Sequence, residues 1–138
     1  MAKIDRFLEV MKTQAAEAIR RTVVGVMIET VRGVRNAAAI ANTPGVDFVL
    51  IGTGDLAVSL GGFPHVDERH GEACASVLQA CKDAGIACGI YTGNAAAAVA
   101  RRSEGYPIVV VANDIDVVTG GFAKAMKTFA GEANTPKS

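Results

Sequence analysis

Val46-Asp47-Phe48-Val49-Leu50-Ile51-Gly52-Thr53-Gly54-Asp55 is the stretch from which the fold is read. Val46 to Ile51 is a short apolar run with no alternation of the kind seen in half-buried strands. It reads as a parallel strand buried on both faces. Gly52-Thr53-Gly54 then turns the chain, and Asp55 opens a short helix to about Leu60. Strand, glycine turn and helix in direct succession form one βα unit.

The same unit repeats on either side. Upstream, Val23 to Ile28 is a second buried run, followed by Glu29 and a short helix from Val34 to Ala41 that stops at Asn42-Thr43-Pro44-Gly45. Before it, Ile4, Phe7, Leu8, Met11, Ala15, Ala18 and Ile19 recur at helical spacing, predicting a helix over Ile4–Arg21. Downstream, Gly61 to Pro64 is a loop and Val66 to Ala84 a long amphipathic helix ended by Gly85. Ile86 to Tyr91 is a third strand, and Ala95 to Glu104 a helix closed at Gly105. Pro107 to Ala112 is a fourth strand, and Asp114 to about Ala130 the last helix. Residues 131–138 are expected to fray.

One helix followed by four strand–helix units implies an α/β fold with a parallel sheet and right-handed crossovers. Pattern alone leaves two versions open, an open doubly wound sheet or part of a closed barrel. A complete (β/α)8 barrel takes about 250 residues, so 138 residues supply roughly half of one. No internal repeat is evident. Residues 1–138 are expected to form a single domain.

Composition narrows the functional classes. Half the residues are apolar and 20% are charged, which suits a packed core and excludes disorder. Lys+Arg and Asp+Glu balance at 14 each, so no net field draws the chain to nucleic acid or an anionic membrane. The longest apolar run falls well short of a membrane span. Met1–Arg6 lacks a signal-peptide pattern, and a cytoplasmic location is expected. Cys74, Cys81 and Cys88 are odd in number and lack a CxxC pair, so they read as buried structural thiols. Their spacing puts Cys74 and Cys81 on one helix face and Cys88 in the next strand.

Two acids sit at strand ends: Glu29 after the first strand, Asp55 after the second. In parallel α/β folds the site lies at the carboxyl ends of the strands. Two carboxylates there suit a hard divalent cation, which keeps some waters and needs one or two protein carboxylates. They also suit helix capping, for which Asp55 is well placed. Both readings stand at this level. Gly52-Thr53-Gly54-Asp55 adds a turn whose glycines admit close approach and whose N–H groups at a helix start favour an anion. Carboxylate cradle and adjacent cation together make a receptor for a 2-oxo acid, with the ion polarising its keto oxygen and stabilising an enolate.

Val26-Met27-Ile28-Glu29-Thr30, with Gly33-Val34-Arg35-Asn36 and Ile40-Ala41, resembles the metal-ligand strand and following helix of the HpcH/HpaI aldolase family. Pro44 to Gly61 is similar, without gaps, to that family's most characteristic stretch. Weaker similarity runs through Ala84-Gly85-Ile86 and Gly89-Ile90 to Asn113-Asp114. The resemblance implies half of a TIM (β/α)8 barrel, completed by oligomerisation or by a partner. It also implies a divalent-metal-dependent aldolase or lyase (Mg2+, Mn2+ or Co2+) acting on pyruvate or a related 2-oxo acid. Glu29 and Asp55 would be the metal ligands. Gly52, Thr53, Gly54 and Asp55 would bind substrate, the N–H groups of the last three holding its carboxylate. Citrate-lyase-type relatives act on acyl-CoA esters, but the Gly-Thr-Gly-Asp-Leu surroundings look closer to the pyruvate branch.

The departure is as informative. Family members take a basic histidine with its acidic partner, and a substrate arginine, from earlier strands that have no counterpart in these residues. His65 and His70 are the only histidines and read as surface or helix-capping residues. Tyr91 reads as a wall of the site, and Asp114 and Asp116 as acids at a helix start. Arg20-Arg21 and Arg101-Arg102 read as solvated helix faces. Two functional readings follow. One is an enzyme active when assembled, its base drawn from another subunit. The other is a non-catalytic half-barrel that binds metal and carboxylate or completes an assembly with a homo-oligomeric copy or a separate N-terminal half-chain.

Overall fold

The fold is known from a computed structural model that describes residues 2–133. Among them the order is α1 (Ala2–Arg21), β1 (Gly25–Ile28), α2 (Val31–Arg35), α3 (Ala37–Ala41), β2 (Phe48–Ile51) and α4 (Thr53–Ser59). Then come α5 (Glu68–Ala84), β3 (Ala87–Tyr91), α6 (Ala95–Ser103), β4 (Ile108–Val110) and α7 (Asp114–Ala133). The helix–strand succession is the expected one. Of the segment expected to fray, residues 131–133 continue α7, and 134–138 lie outside the described residues.

The strands are parallel and adjacent in chain order, β1-β2-β3-β4. A doubly wound sheet reverses direction at a switch point; none occurs in these four strands, and the succession is that of a barrel. The register aligns Ile28, Ile51, Ile90 and Val109 in one row and Val26, Val49 and Cys88 in another. Both rows face the helices. Ile28, Val49, Ile51 and Ile90 are at most 1% exposed, packed with Ala37, Ala41, Cys74, Val77 and Cys81 of α3 and α5.

The opposite sheet face corrects an expectation. The apolar runs predicted strands buried on both sides, yet the chain's own helices cover one. Met27 is 55% exposed, and Phe48, Leu50 and Tyr91 are only half-buried. Lack of alternation along a strand records that both faces are apolar, not which molecule covers them. The first and last helices behave alike. Ile4, Phe7, Leu8 and Met11 of α1 and Ile115, Phe122, Met126 and Phe129 of α7 are exposed. No described helix is long and apolar enough to cross a membrane.

Local chemistry explains the other boundary shifts. The helix expected over Val34–Ala41 is two short helices. Thr30 Oγ1 accepts from Gly33 N at 3.0 Å and starts α2 early. Asn36 Nδ2 donates back to Arg32 O at 3.0 Å, a local bond that competes with helix continuation. β1 begins at Gly25, not Val23, because Val24 N donates to the Asp47 carboxylate at 2.7 Å. β4 is confined to Ile108–Val110; Pro107 before it has no N–H to give a ladder. α5 starts after Asp67, which accepts from His70 N, and ends at Gly85 with φ of 71°.

Candidate active site

Glu29 is the first residue beyond β1, and Gly52 the first beyond β2. Their strands are hydrogen-bonded neighbours with Ile28 opposite Ile51. Gly52 N donates to Ile28 O at 3.1 Å and so carries the pairing one residue further. A Cβ on Gly52 would lie 3.0 Å from both Cβ and Oε2 of Glu29, and 3.1 Å from Met27 Sδ. A side chain at position 52 would crowd the half-buried Glu29, whose carboxylate lies against this turn.

Thr53, Gly54 and Asp55 form the first turn of α4, and its N-cap, Gly52, has no side chain to cap them. Leu56 N is the first to find a helical carbonyl, at Gly52 O. The three preceding N–H groups are left for another acceptor. Helix capping was the competing role for the two acids, and neither fills it. Thr30 caps α2, Gly52 occupies the cap of α4, and Asp55 stands in its first turn. Among the described residues neither the Glu29 nor the Asp55 carboxylate makes a hydrogen bond or ion pair. Val31 N donates to Ser59 Oγ at 3.0 Å, tying the start of α2 to the end of α4 and hence the two acid-bearing segments together.

A concavity of about 270 Å3 opens here, floored by Met27, Leu50 and Ile51 and rimmed by Gly52 to Asp55. Tyr91 forms its wall, as expected. Tyr91 Oη accepts from Asn113 Nδ2 at 2.9 Å, and Asn113 is fixed in turn by Asp116, whose carboxylate takes Nδ2 and whose N–H donates to Oδ1. A larger concavity of about 620 Å3, lined by Ala98, Val99, Arg102, Tyr106 and Val109, lies between α6 and β4 and contains no carboxylate.

His65 is exposed, but His70 corrects the sequence reading. It is 5% exposed and sits under the site, not on the surface. Its Nε2 lies 3.0 Å from Thr53 O, and its Nδ1 lies 3.9 Å from Cys74 Sγ. The signal was present in the spacing. His70, Cys74, Val77 and Cys81 fall on one helical stripe, and the last three are plainly apolar. Ser59 and Asn113 left no comparable trace in sequence, since their partners lie 28 and 22 residues away.

The cysteines are free and buried, as expected. Burial pushes all three thiols up, Cys88 furthest, with the neighbouring Cys81 adding to it. Arg101 is half-buried and paired with Glu104 at 2.8 Å; Arg20, Arg21 and Arg102 are solvated.

An acid pair and a free-amide turn stand at neighbouring strand ends of a parallel barrel-type sheet, an arrangement of the (β/α)-barrel class. Residues 1–120 match the HpcH/HpaI aldolase/citrate lyase family, and the chain belongs to it. It is 38% identical over 105 residues to a hydroxypyruvate/pyruvate aldolase of Paraburkholderia phytofirmans, covering 74% of this chain and 39% of that protein. It is 32% identical over 117 residues to a 5-keto-4-deoxy-D-glucarate aldolase of Salmonella arizonae, covering 83% and 45%. A solved family member from Burkholderia cenocepacia superposes with a TM-score of 0.75 at 37% identity, over 80% of this chain and 44% of that one. The chain thus spans less than half the length of these relatives, and its fold is half of the family's TIM barrel.

Proposed function

We propose that this chain supplies the metal-and-carboxylate half of an aldolase or carbon–carbon lyase that acts on pyruvate or a related small 2-oxo acid. The observation that carries the reading is the Glu29 carboxylate lying against Gly52, at the head of a turn with three unclaimed N–H groups. Glu29 and Asp55 fit a divalent ion of the Mg2+ or Mn2+ kind, with Co2+ also admissible. Both are carboxylates, neither is used by another protein group, and each follows one of two neighbouring strands. When bound, such an ion supplies Lewis acidity to the oxygens of the 2-oxo acid. The N–H groups of Thr53, Gly54 and Asp55 hold the substrate carboxylate, and Tyr91 closes the apolar side. Aldolase names on the relatives, for pyruvate and keto-sugar acids, agree with this substrate class.

The proton-transferring base comes from outside these residues. His70 is buried with its ring committed to Thr53 and Cys74, and His65 is exposed and outside the concavity. The base arrives with whatever covers the open sheet face, another copy of the chain or a separate N-terminal half-barrel. A non-catalytic half-barrel that only binds metal and carboxylate is the second reading, and the same missing base favours it.

Incubating the protein with pyruvate and Mn2+ or Mg2+ in heavy water tests the first reading. Loss of the methyl proton signal that requires both the ion and Glu29, tested with Glu29→Ala, is the expected result. Bound metal without exchange would select a half-barrel that is either non-catalytic or dependent on a separate partner chain for its base.

A further inference from the structure

We infer that His70 is a positioning residue, which pins the Thr53–Gly54 peptide so that the Gly54 N–H faces the concavity. The inference rests on the reading of this turn as a carboxylate receptor. His70 lies on a helix stripe otherwise made of Cys74, Val77 and Cys81, where an aliphatic side chain would pack without polar cost. The imidazole there is fully engaged. A carbonyl can only accept, so the contact to Thr53 O at 3.0 Å places the ring proton on Nε2. In the neutral ring that leaves Nδ1 as the acceptor facing the Cys74 thiol at 3.9 Å.

The consequence follows from peptide geometry. In a trans peptide the C=O of Thr53 and the N–H of Gly54 point in opposite directions. Drawing the carbonyl inward to α5 aims the amide outward. Gly54 has no side chain to hold this peptide, and nothing lies within 4 Å of where its Cβ would be. Thr53 is held from its side chain as well, Oγ1 donating to Tyr91 O at 3.2 Å. Two tethers, from α5 and β3, thus meet on one residue of the turn, and of the two only the His70 bond is made to the peptide itself.

The test uses 15N-labelled wild-type protein with His70→Leu, which removes the donor, and His70→Gln, which restores an N–H near the Nε2 position. In the wild type, ring spectra are expected to show the proton on Nε2; an Nδ1–H tautomer would overturn the inference even if both variants failed to fold. Backbone order parameters at Thr53 and Gly54 are expected to fall from about 0.85 to below about 0.6 in His70→Leu and to recover in His70→Gln. Values unchanged in His70→Leu would overturn it, as would loosening spread evenly over the sheet. Pyruvate titrated in the presence of Mg2+ is expected to bind roughly tenfold more weakly to His70→Leu, the loss of about one well-placed hydrogen bond, and near wild-type strength to His70→Gln. Equal affinity in all three would overturn it. If the wild type does not take up pyruvate, the carboxylate-receptor reading falls, and the tautomer and order parameters still decide whether His70 pins the turn.

Discussion

At the scale of single residues, the site depends on what is missing as much as on what is present. Gly52 has no Cβ, and the space it leaves holds the Glu29 carboxylate. Gly52→Ala is expected to cost about 1–3 kcal/mol through overpacking and to displace Glu29. Calorimetric titration with Mn2+ checks it, with weakened binding expected in a protein that keeps its circular dichroism spectrum. The buried thiols give a second residue-level prediction. All three are held in the protonated form by burial, so few thiolates exist at neutral pH. Thiol reagents at pH 8 are expected to leave Cys74, Cys81 and Cys88 unmodified in the native protein and to modify all three in denaturant. Rapid labelling of the native protein would contradict the packing of α5 on β3.

At the scale of elements, caps and tethers decide where helices begin. Asn94 Oδ1 accepts from Ala97 N at 2.9 Å and starts α6, so Asn94→Ala is expected to lower stability by about 1 kcal/mol in denaturant melts. At the start of α5, Arg69 donates to Asp67 and holds its carboxyl below the ordinary value of 3.8. A depressed folded pKa means that the stabilisation is present above about pH 3.8 and is lost as pH falls through the folded value. Melting temperature between pH 5 and pH 2 is therefore expected to fall less steeply in Asp67→Asn than in the wild type. The effect is small, since the pair is exposed and screened.

At the scale of the whole molecule, a four-stranded parallel sheet with helices on one face is incomplete as a soluble body. Met27 and the stripes of α1 and α7 are open to water, more apolar surface than a soluble monomer ordinarily keeps. Sedimentation of the wild type is expected to give an assembly larger than one chain, or one that forms with a separate N-terminal half-barrel. Met27→Lys, on the open face, is expected to weaken it while α3 and α5 keep the covered face folded. A monomer that binds no hydrophobic dye would count against this account.

Element order, the parallel sheet, the barrel family and the placing of Glu29, Gly52 and Asp55 at strand ends were legible along the chain, because these depend on local periodicity and on short contiguous motifs. Strand ends, helix starts and the glycine turn all lie within a few residues of the side chains they place. Only the tertiary structure decided that Thr30 and Gly52 take the caps and leave the acids unclaimed. It alone brought His70 beneath Thr53 and joined Ser59 to Val31. Those features join residues 17 and 28 positions apart across separate elements, and no local pattern encodes which distant donor meets which acceptor, or which molecule lies over an apolar face.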